Sequence, residues 1–332
     1  MFKSAIIGSG FIGAVHAAAI SRIDECKLVA VADINETAGE KVAADFNCMF
    51  YTDAEEMLKK EDIDIIHICL PSYLHEEYVQ LSAKYKKHVL CEKPFSLTVD
   101  SAKRMADLCE KADVKLMVAQ TVRWWPEFME LKKRYDRGEF GEIHMAYSSR
   151  LAQHPNWSTW HRDPQKSGGS LFDLNMHNLD FLYHLFGPVA SVYAVGWKSP
   201  SGCWNHVCAS LIFKNGVKAI DEGTNEITNE YPFTASFRMT GEKATFDHKF
   251  TAGFNIENLN AASAQTVLFT KDDKPQPLQI EGMDAYEAQT RAFIDCVKNN
   301  KPAPIPPSES VDVMRIVAAI EQSLESGEVV VL

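Results

Sequence analysis

The stretch "LCEKPF" places Glu92, Lys93 and Pro94 where an apolar, strand-like run ends. A lysine at such a junction is costly to desolvate, which suits it to a reacting centre where negative charge develops. Pro94 fixes the chain and admits a cis Lys–Pro bond able to aim Lys93 into a cleft. A salt-bridged loop end is the plainer reading. A second pair, Asp173 and His177, stands four residues apart in "SGGSLFDLNMHNLDFLYHLFG". Leu171, Leu174, Leu179, Leu182 and Leu185 recur there at helical spacing and Gly187-Pro188 ends the run, so Asp173 and His177 share a helix face. A histidine, with a reference pKa of about 6.5, suits a general base near neutrality. An Asp–His pair can equally be a structural hydrogen bond or half of a metal site. No third and fourth ligand accompany it at recognisable spacing, and no metal is expected.

These residues need elements to position them. The first 120 or so residues alternate strand-like and helix-like segments, from "SAIIG" and "FIGAVHAAAISRI" to the helix Val99–Ala112 and "KLMVAQ". The strands are near-continuous apolar runs, as in a doubly wound parallel sheet covered on both faces. In that setting "GSGFIG" closes the first strand and opens a helix. Gly8, Gly10 and Gly13 then read as a dinucleotide turn, with Phe11 and Ile12 in the same cofactor-binding stretch. The helix N-terminus offers N–H groups and a partial positive charge to the phosphates. Asp33 ends the second strand, twenty residues after Gly13. Its carboxylate can accept from both ribose hydroxyls and would repel a 2′-phosphate, so NAD is favoured over NADP. In "CLPSYLH", Leu70 and His75 fall beside the crevice where such folds bind ligands, and Glu92 and Lys93 face its nicotinamide end.

Together "GSGFIG", "CEKP" and "GGSLFDLNMH" resemble, in order and spacing, the glucose–fructose oxidoreductase / inositol 2-dehydrogenase (Gfo/Idh/MocA) family, over nearly the whole chain. The resemblance implies an N-terminal Rossmann domain and a C-terminal domain built on a large, mostly antiparallel open sheet. It also implies oxidation of a sugar or cyclic-polyol hydroxyl with NAD or NADP. The family's catalytic lysine falls on Lys93, expected to orient the substrate hydroxyl. Its aspartate and histidine fall on Asp173, which positions substrate or base, and on His177, the expected proton acceptor. By the same resemblance Trp160 and Arg162 approach the cofactor. His154, Asn156 and Trp157 reach a polyhydroxy substrate, and Arg123 and Trp124 border the pocket; an interdomain packing loop is the alternative for the last two. Two departures stand out: Ser170 replaces the usual third glycine, and Asn175 replaces the usual glycine between Asp and His. Asn175 is expected to add a polar side chain on the substrate side.

The fold class expected is therefore α/β followed by α+β. Residues 1–121 form the nucleotide domain and residues 122–332 the substrate and oligomerisation domain, with the last helices able to pack back on the first. Seven strand candidates run from "SVYAVGWK" to "QPLQI", with Asn215-Gly216 as a hairpin signal. Helices at Ala285–Lys298 and Ser310–Ser326 finish the chain. A sheet with one uncovered face invites a homodimer or homotetramer. At 332 residues, 46% hydrophobic and 24% charged, the chain has the composition of a soluble globular protein, and no apolar run suits a membrane span. Its net charge of −11 argues against nucleic-acid partners. Eight scattered cysteines without a framework spacing fit a reducing cytoplasm. Two other functions compete with the dehydrogenase: an enzyme that retains NAD and cleaves or eliminates with no net redox change, and an NAD-sensing regulator with a silent site.

Overall fold

The computed structural model describes residues 1–154, 160–228, 231–252 and 262–332. The chain divides into two compact units, Met1–Trp124 with Met283–Met314, and Trp125–Gly282 with Arg315–Leu332.

In the first unit, strands β1 (Phe2–Ile7), β2 (Cys26–Ala32), β3 (Met49–Tyr51), β4 (Ile65–Ile68), β5 (His88–Glu92) and β6 (Leu116–Ala119) alternate with helices. The helices are α1 (Phe11–Ser21), α2 (Glu36–Phe46), α3 (Ala54–Lys60), α4 (His75–Lys84) and α5 (Val99–Ala112). The strands pair in the order β3-β2-β1-β4-β5-β6, all parallel. Strand order reverses between β1 and β4, and ligands of such sheets lie at the carboxyl ends beside that switch. Side-chain caps start the helices where expected: Asn35 accepts from Ala38 N, Asp53 from Glu56 N and Thr98 from Ser101 N. Helices α1 and α4 have no side-chain cap, and of the two α1 alone also lacks an acidic residue in its first turn.

The second unit holds α6 (Pro126–Asp136), β7 (Ile143–Leu151), the short α7 (Pro164–Ser167), a π-helical turn over Leu171–Asn175 and α8 (Met176–Phe186). Strands β8 (Val189–Lys198), β9 (Trp204–Phe213), β10 (Lys218–Thr224), β11 (Thr234–Gly241), β12 (Ala244–Thr251), β13 (Ser263–Thr270) and β14 (Gln276–Pro277) follow. Two helices, α9 (Ala285–Lys298) and α10 (Pro307–Ser326), and the final β15 (Val330–Val331) complete the chain. The nine strands pair in the order β14-β13-β12-β11-β7-β10-β9-β8-β15. Every pair is antiparallel except β7 with β10. The Asn215-Gly216 turn joins β9 to β10, with Gly216 at φ +88° as a tight hairpin demands.

One face of this sheet is covered by α6 and α8. Phe128 of α6 meets Phe181 of α8 edge to face at 4.6 Å, and both meet Phe237 of β11. The covered face carries, in register, the buried row Ala194, Ala209, Asp221, Ser148, Phe237, His248 and Thr266. α9 belongs with the first unit: Arg22 pairs with Asp284 and Glu287, while Phe293 and Ile294 join the cluster of Ile6, Ala17, Ile20 and Ile23. α10 begins in the first unit and ends in the second.

Four elements escape the sequence reading: α6, β7, the short α7 and β15. β7 is central to its sheet, yet its covered face carries Ala146, Ser148 and Arg150 and so lacks the apolar alternation that betrays a half-buried strand.

Candidate active site

The glycine turn of the first unit is built to leave room. Gly8 sits at φ +98°, and a Cβ there would stand 2.4 Å from the Cys69 carbonyl oxygen. A Cβ on Gly13 would strike the carbonyl of Gly8, so helix and strand ride against each other only with glycine at both places. Gly10, by contrast, has no atom near its Cβ position, and it caps α1. An uncapped helix start beside open space is what a pyrophosphate needs. Exposed Phe11 and half-buried Ile12 follow, and Leu70 packs against Gly8. Asp33 is clamped at the end of β2: Ser9 N donates to Oδ2 at 2.5 Å and Asn35 N to Oδ1 at 2.8 Å. These residues fit a dinucleotide.

At the end of β5 the Lys93–Pro94 bond is cis. Glu92, expected on the crevice, is 5% exposed and pairs inward. Its Oε1 lies 2.9 Å from His16 Nε2, and its Oε2 accepts from the Lys93 amide at 3.1 Å. His75 also differs from expectation. It is fully buried, with Nδ1 2.9 Å from the Pro94 carbonyl and Nε2 2.9 Å from that of Leu70. Burial holds its pKa below the ordinary histidine value, opposed by those carbonyls and Glu92. His75 thus ties the end of β4 to the cis-proline loop instead of touching a cofactor. Arg123 is buried with its guanidinium 2.6 Å from Glu309 at the start of α10, within the same unit. That pairing is a contact within the first unit, not an interdomain one. The Trp124 indole Nε1 beside it is buried and has no hydrogen-bond partner among the described residues.

In the second unit, Gly168 and Gly169 lead into the π-helical turn at φ +71° and +78°. Ser170 is right-handed helical, at φ −58° and ψ −34°, so a third glycine is not required. Across Leu171–Leu182 every residue is buried except Asp173 and His177, which are half-buried. The turn carrying Asp173 is π-helical where sequence spacing predicts α, a widening that often marks functional sites. Trp160, His161 and Arg162 form a short 3-10 turn, with the first two rings stacked at 3.8 Å. His154 is half-buried; Asn156 and Trp157 lie outside the described residues.

Asn175 requires a correction. Its side chain is fully buried and faces the sheet, not a substrate. Nδ2 donates to Asp221 Oδ2 at 2.8 Å, and its Oδ1 lies where a Cβ of residue 223 would fall, a space left by Gly223. Asp221 in turn accepts at Oδ1 from Asn178 and from Ser148 Oγ, each at 2.7 Å. Burial pushes the Asp221 carboxyl up to about 6, against those three donors and Arg150. Arg150, buried on β7, lies 5.7 Å from the rings of Trp125 and Phe233. This polar bed under the Asp–His helix was missed; the signal available was the polar alternation Ser148, Arg150 on one strand and Asp221 on another. No group of three or more His, Cys, Asp or Glu suited to a metal ion occurs among the described residues.

Known proteins resemble this chain over most of its length. Residues 2–120 match the model of an oxidoreductase family with an NAD-binding Rossmann fold, GFO_IDH_MocA, and residues 128–247 match the GFO/IDH/MocA C-terminal domain. An oxidoreductase of Bacillus subtilis (strain 168), YrbE, is 29% identical over 97% of this chain and 94% of its own. The inositol 2-dehydrogenase of Rhizobium meliloti (strain 1021) is 28% identical over 91% and 90%. The fold matches a crystal structure of an oxidoreductase from Desulfitobacterium hafniense DCB-2, described as NADPH-dependent, with TM-score 0.89 and 22% identity over 99% of this chain and 97% of that one.

Proposed function

The chain belongs to the GFO/IDH/MocA oxidoreductase family, and from that premise we propose that it moves a hydride between a hydroxyl-bearing carbon of a sugar, sugar derivative or cyclic polyol and NAD. The observation that carries the site assignment is the single open stripe of Asp173 and His177 on a helix otherwise buried from Leu171 to Leu182. Bound NAD supplies the hydride acceptor; the chain supplies binding and proton chemistry. Gly8, Gly10, Phe11, Ile12, Gly13, Asp33 and Leu70 would hold the dinucleotide. His177 takes the hydroxyl proton, Asp173 orients the substrate or the base, and Lys93 stabilises the oxygen as charge builds on it. Loss of one such group costs about 10²–10⁴ in rate.

The preference for NAD rests on Asp33, whose two oxygens are already fixed by main-chain N–H groups and so cannot swing from a 2′-phosphate. The test is NADH formation from NAD with a panel of inositols, aldoses and glycosides, beside NADP, Lys93→Ala and Asp33→Ser. The expected result is a substrate-dependent signal that prefers NAD, is lost in Lys93→Ala, and moves toward NADP in Asp33→Ser. Silence with NAD retained by the purified protein would replace this reading with a retained-cofactor reaction.

The uncovered face of the large sheet exposes Tyr193, Val195, Trp197, Ile212, Ile220 and Phe269. We propose that a second copy covers it, giving a dimer or tetramer. Light scattering on wild type and Ile220→Lys, with a monomer mass for the wild type, would refute this. A reducing cytoplasm is the proposed location, in keeping with eight free cysteines.

A further inference from the structure

His16, His67 and Glu92 come from α1, β4 and β5 of the first unit, and all three are buried. His67 Nδ1 lies 2.9 Å from His16 Nδ1, and His16 Nε2 lies 2.9 Å from Glu92 Oε1. Glu92 Oε2 then accepts the Lys93 amide. The line therefore runs from the middle of the parallel sheet, through the helix that opens at the glycine turn, to the main chain of the lysine.

The hydrogens along it can be assigned by elimination. Glu92 Oε1 is an acceptor, so His16 donates to it from Nε2. Between the two Nδ1 atoms one must donate. If His16 did, His67 would carry its hydrogen on Nε2, which is buried and has no partner among the described residues. A buried N–H without an acceptor costs more than a bare lone pair in the same place. His67 therefore donates from Nδ1 to His16. Burial, then the neighbouring His16, hold His67 well below the ordinary histidine range, in keeping with an uncharged ring.

This arrangement is expensive in a place where nothing structural asks for it. β4 is Ile65-Ile66-His67-Ile68, buried at every position, and a β-branched apolar residue would suit the third as it suits the others. A histidine there is desolvated to no packing advantage, and among the described residues its side chain bonds only to His16.

We propose that His16, oriented by His67 and donating to Glu92, is a positioning residue that fixes the Glu92–Lys93 strand end. The helix that receives the cofactor phosphates and the strand that presents the lysine then behave as one body. This rests on the dehydrogenase reading above. Glu92 is the last residue of β5, and Lys93 follows it at the cis-proline turn with its amide bonded to Glu92 Oε2. Anchoring one inward from two sides leaves the other a narrow range of directions, and a small misplacement of a reacting group lowers turnover steeply.

The test uses the full-length protein with the alcohol found in the panel. His16→Phe fills the space and removes the donor. His16→Gln keeps an N–H within reach of Glu92. His67→Val removes only the far tie. Expected are a fall in kcat of about 30-fold for His16→Phe, about 3- to 10-fold for His67→Val, and no more than about 3-fold for His16→Gln. NADH affinity, read by its fluorescence on binding, stays within about 3-fold of wild type throughout. Wild-type kcat in His16→Phe, a fall in His16→Gln as deep as in His16→Phe, or parallel loss of kcat and NADH affinity would each overturn the proposal. Should His16→Phe fail to fold, unchanged kcat in His67→Val does the same. A wild type that neither binds NADH nor turns over overturns the dehydrogenase reading and this proposal with it. A working wild type matched by its variants overturns this proposal alone.

Discussion

Gly223→Ala places a methyl carbon 2.1 Å from Oδ1 of Asn175, 2.4 Å from its Cγ and 2.6 Å from its Nδ2. Asn175 cannot yield cheaply, because its other amide atom is held by Asp221 in a fully buried setting. Turning the side chain away forfeits a charge-assisted hydrogen bond, about 2 kcal/mol. Crowding in a packed interior adds about 1–3 kcal/mol, so the variant should lose roughly 3–5 kcal/mol. Asn175→Gly alone removes the same bond and adds glycine to a helical turn, for a loss of about 3 kcal/mol. In the double variant the methyl has nothing to strike. Its loss should stay near that of Asn175→Gly, leaving a favourable coupling of at least about 2 kcal/mol. Urea unfolding of the four proteins, with m-values compared, measures it. Additive losses, within about 0.5 kcal/mol, would show that Asn175 does not occupy the space above Gly223 and would restore it as a candidate substrate contact.

A second prediction concerns pH. His248 is buried on β12, its Nδ1 2.8 Å from Thr266 Oγ1, and burial, then Arg150, lower its pKa to about 4. The folded protein therefore binds fewer protons than the unfolded chain between about pH 6.5 and 4. Its contribution is complete above that window and is lost as pH falls through it, by about 3 kcal/mol. His248→Asn should gain that amount relative to wild type between pH 7 and pH 4, as followed by urea unfolding at each pH. A difference that stays flat with pH would mean that His248 is solvated or paired in the folded state. Asp221 works in the opposite sense, since a raised carboxyl pKa favours the folded state as pH falls from about 6 toward 4, so the wild type alone understates either slope.

The parts of this molecule that were legible in the sequence are those whose signals are local. α5 and α9 begin behind Thr98 and Asp284, whose side chains cap them, and both have the bounds that periodicity predicts. The glycine turn announces itself because its chemistry is carried by missing side chains within six residues. The Asp–His face was visible as helical spacing, although its π-helical widening was not. What could not be read depends on partners far along the chain. His16 meets Glu92 across 76 residues, and Asn175 meets Asp221 across 46. No local pattern distinguishes an inward amide from an outward one. β7 was hidden for a related reason: a strand whose covered face carries Ser148 and Arg150 resembles a polar loop until its neighbours are known.

The one parallel pairing in the large sheet bears on how the second unit comes into being. β7 bonds to β10 and β11, with Ala146 opposite Ala219 and Met145 opposite Thr240. Hairpins such as β8–β9 and β9–β10 can zip from their turns, but β7 has to wait until more than 70 residues have been made and gathered. The π-helical turn bearing Asp173 and the helix bearing His177 lie inside that crossover, and Ser148 of β7 is one of the three donors to Asp221 beneath them. Refolding should accordingly restore helix and hairpin signals first. The bed of the Asp–His helix closes only in the last step, when the two halves of the sheet meet around β7.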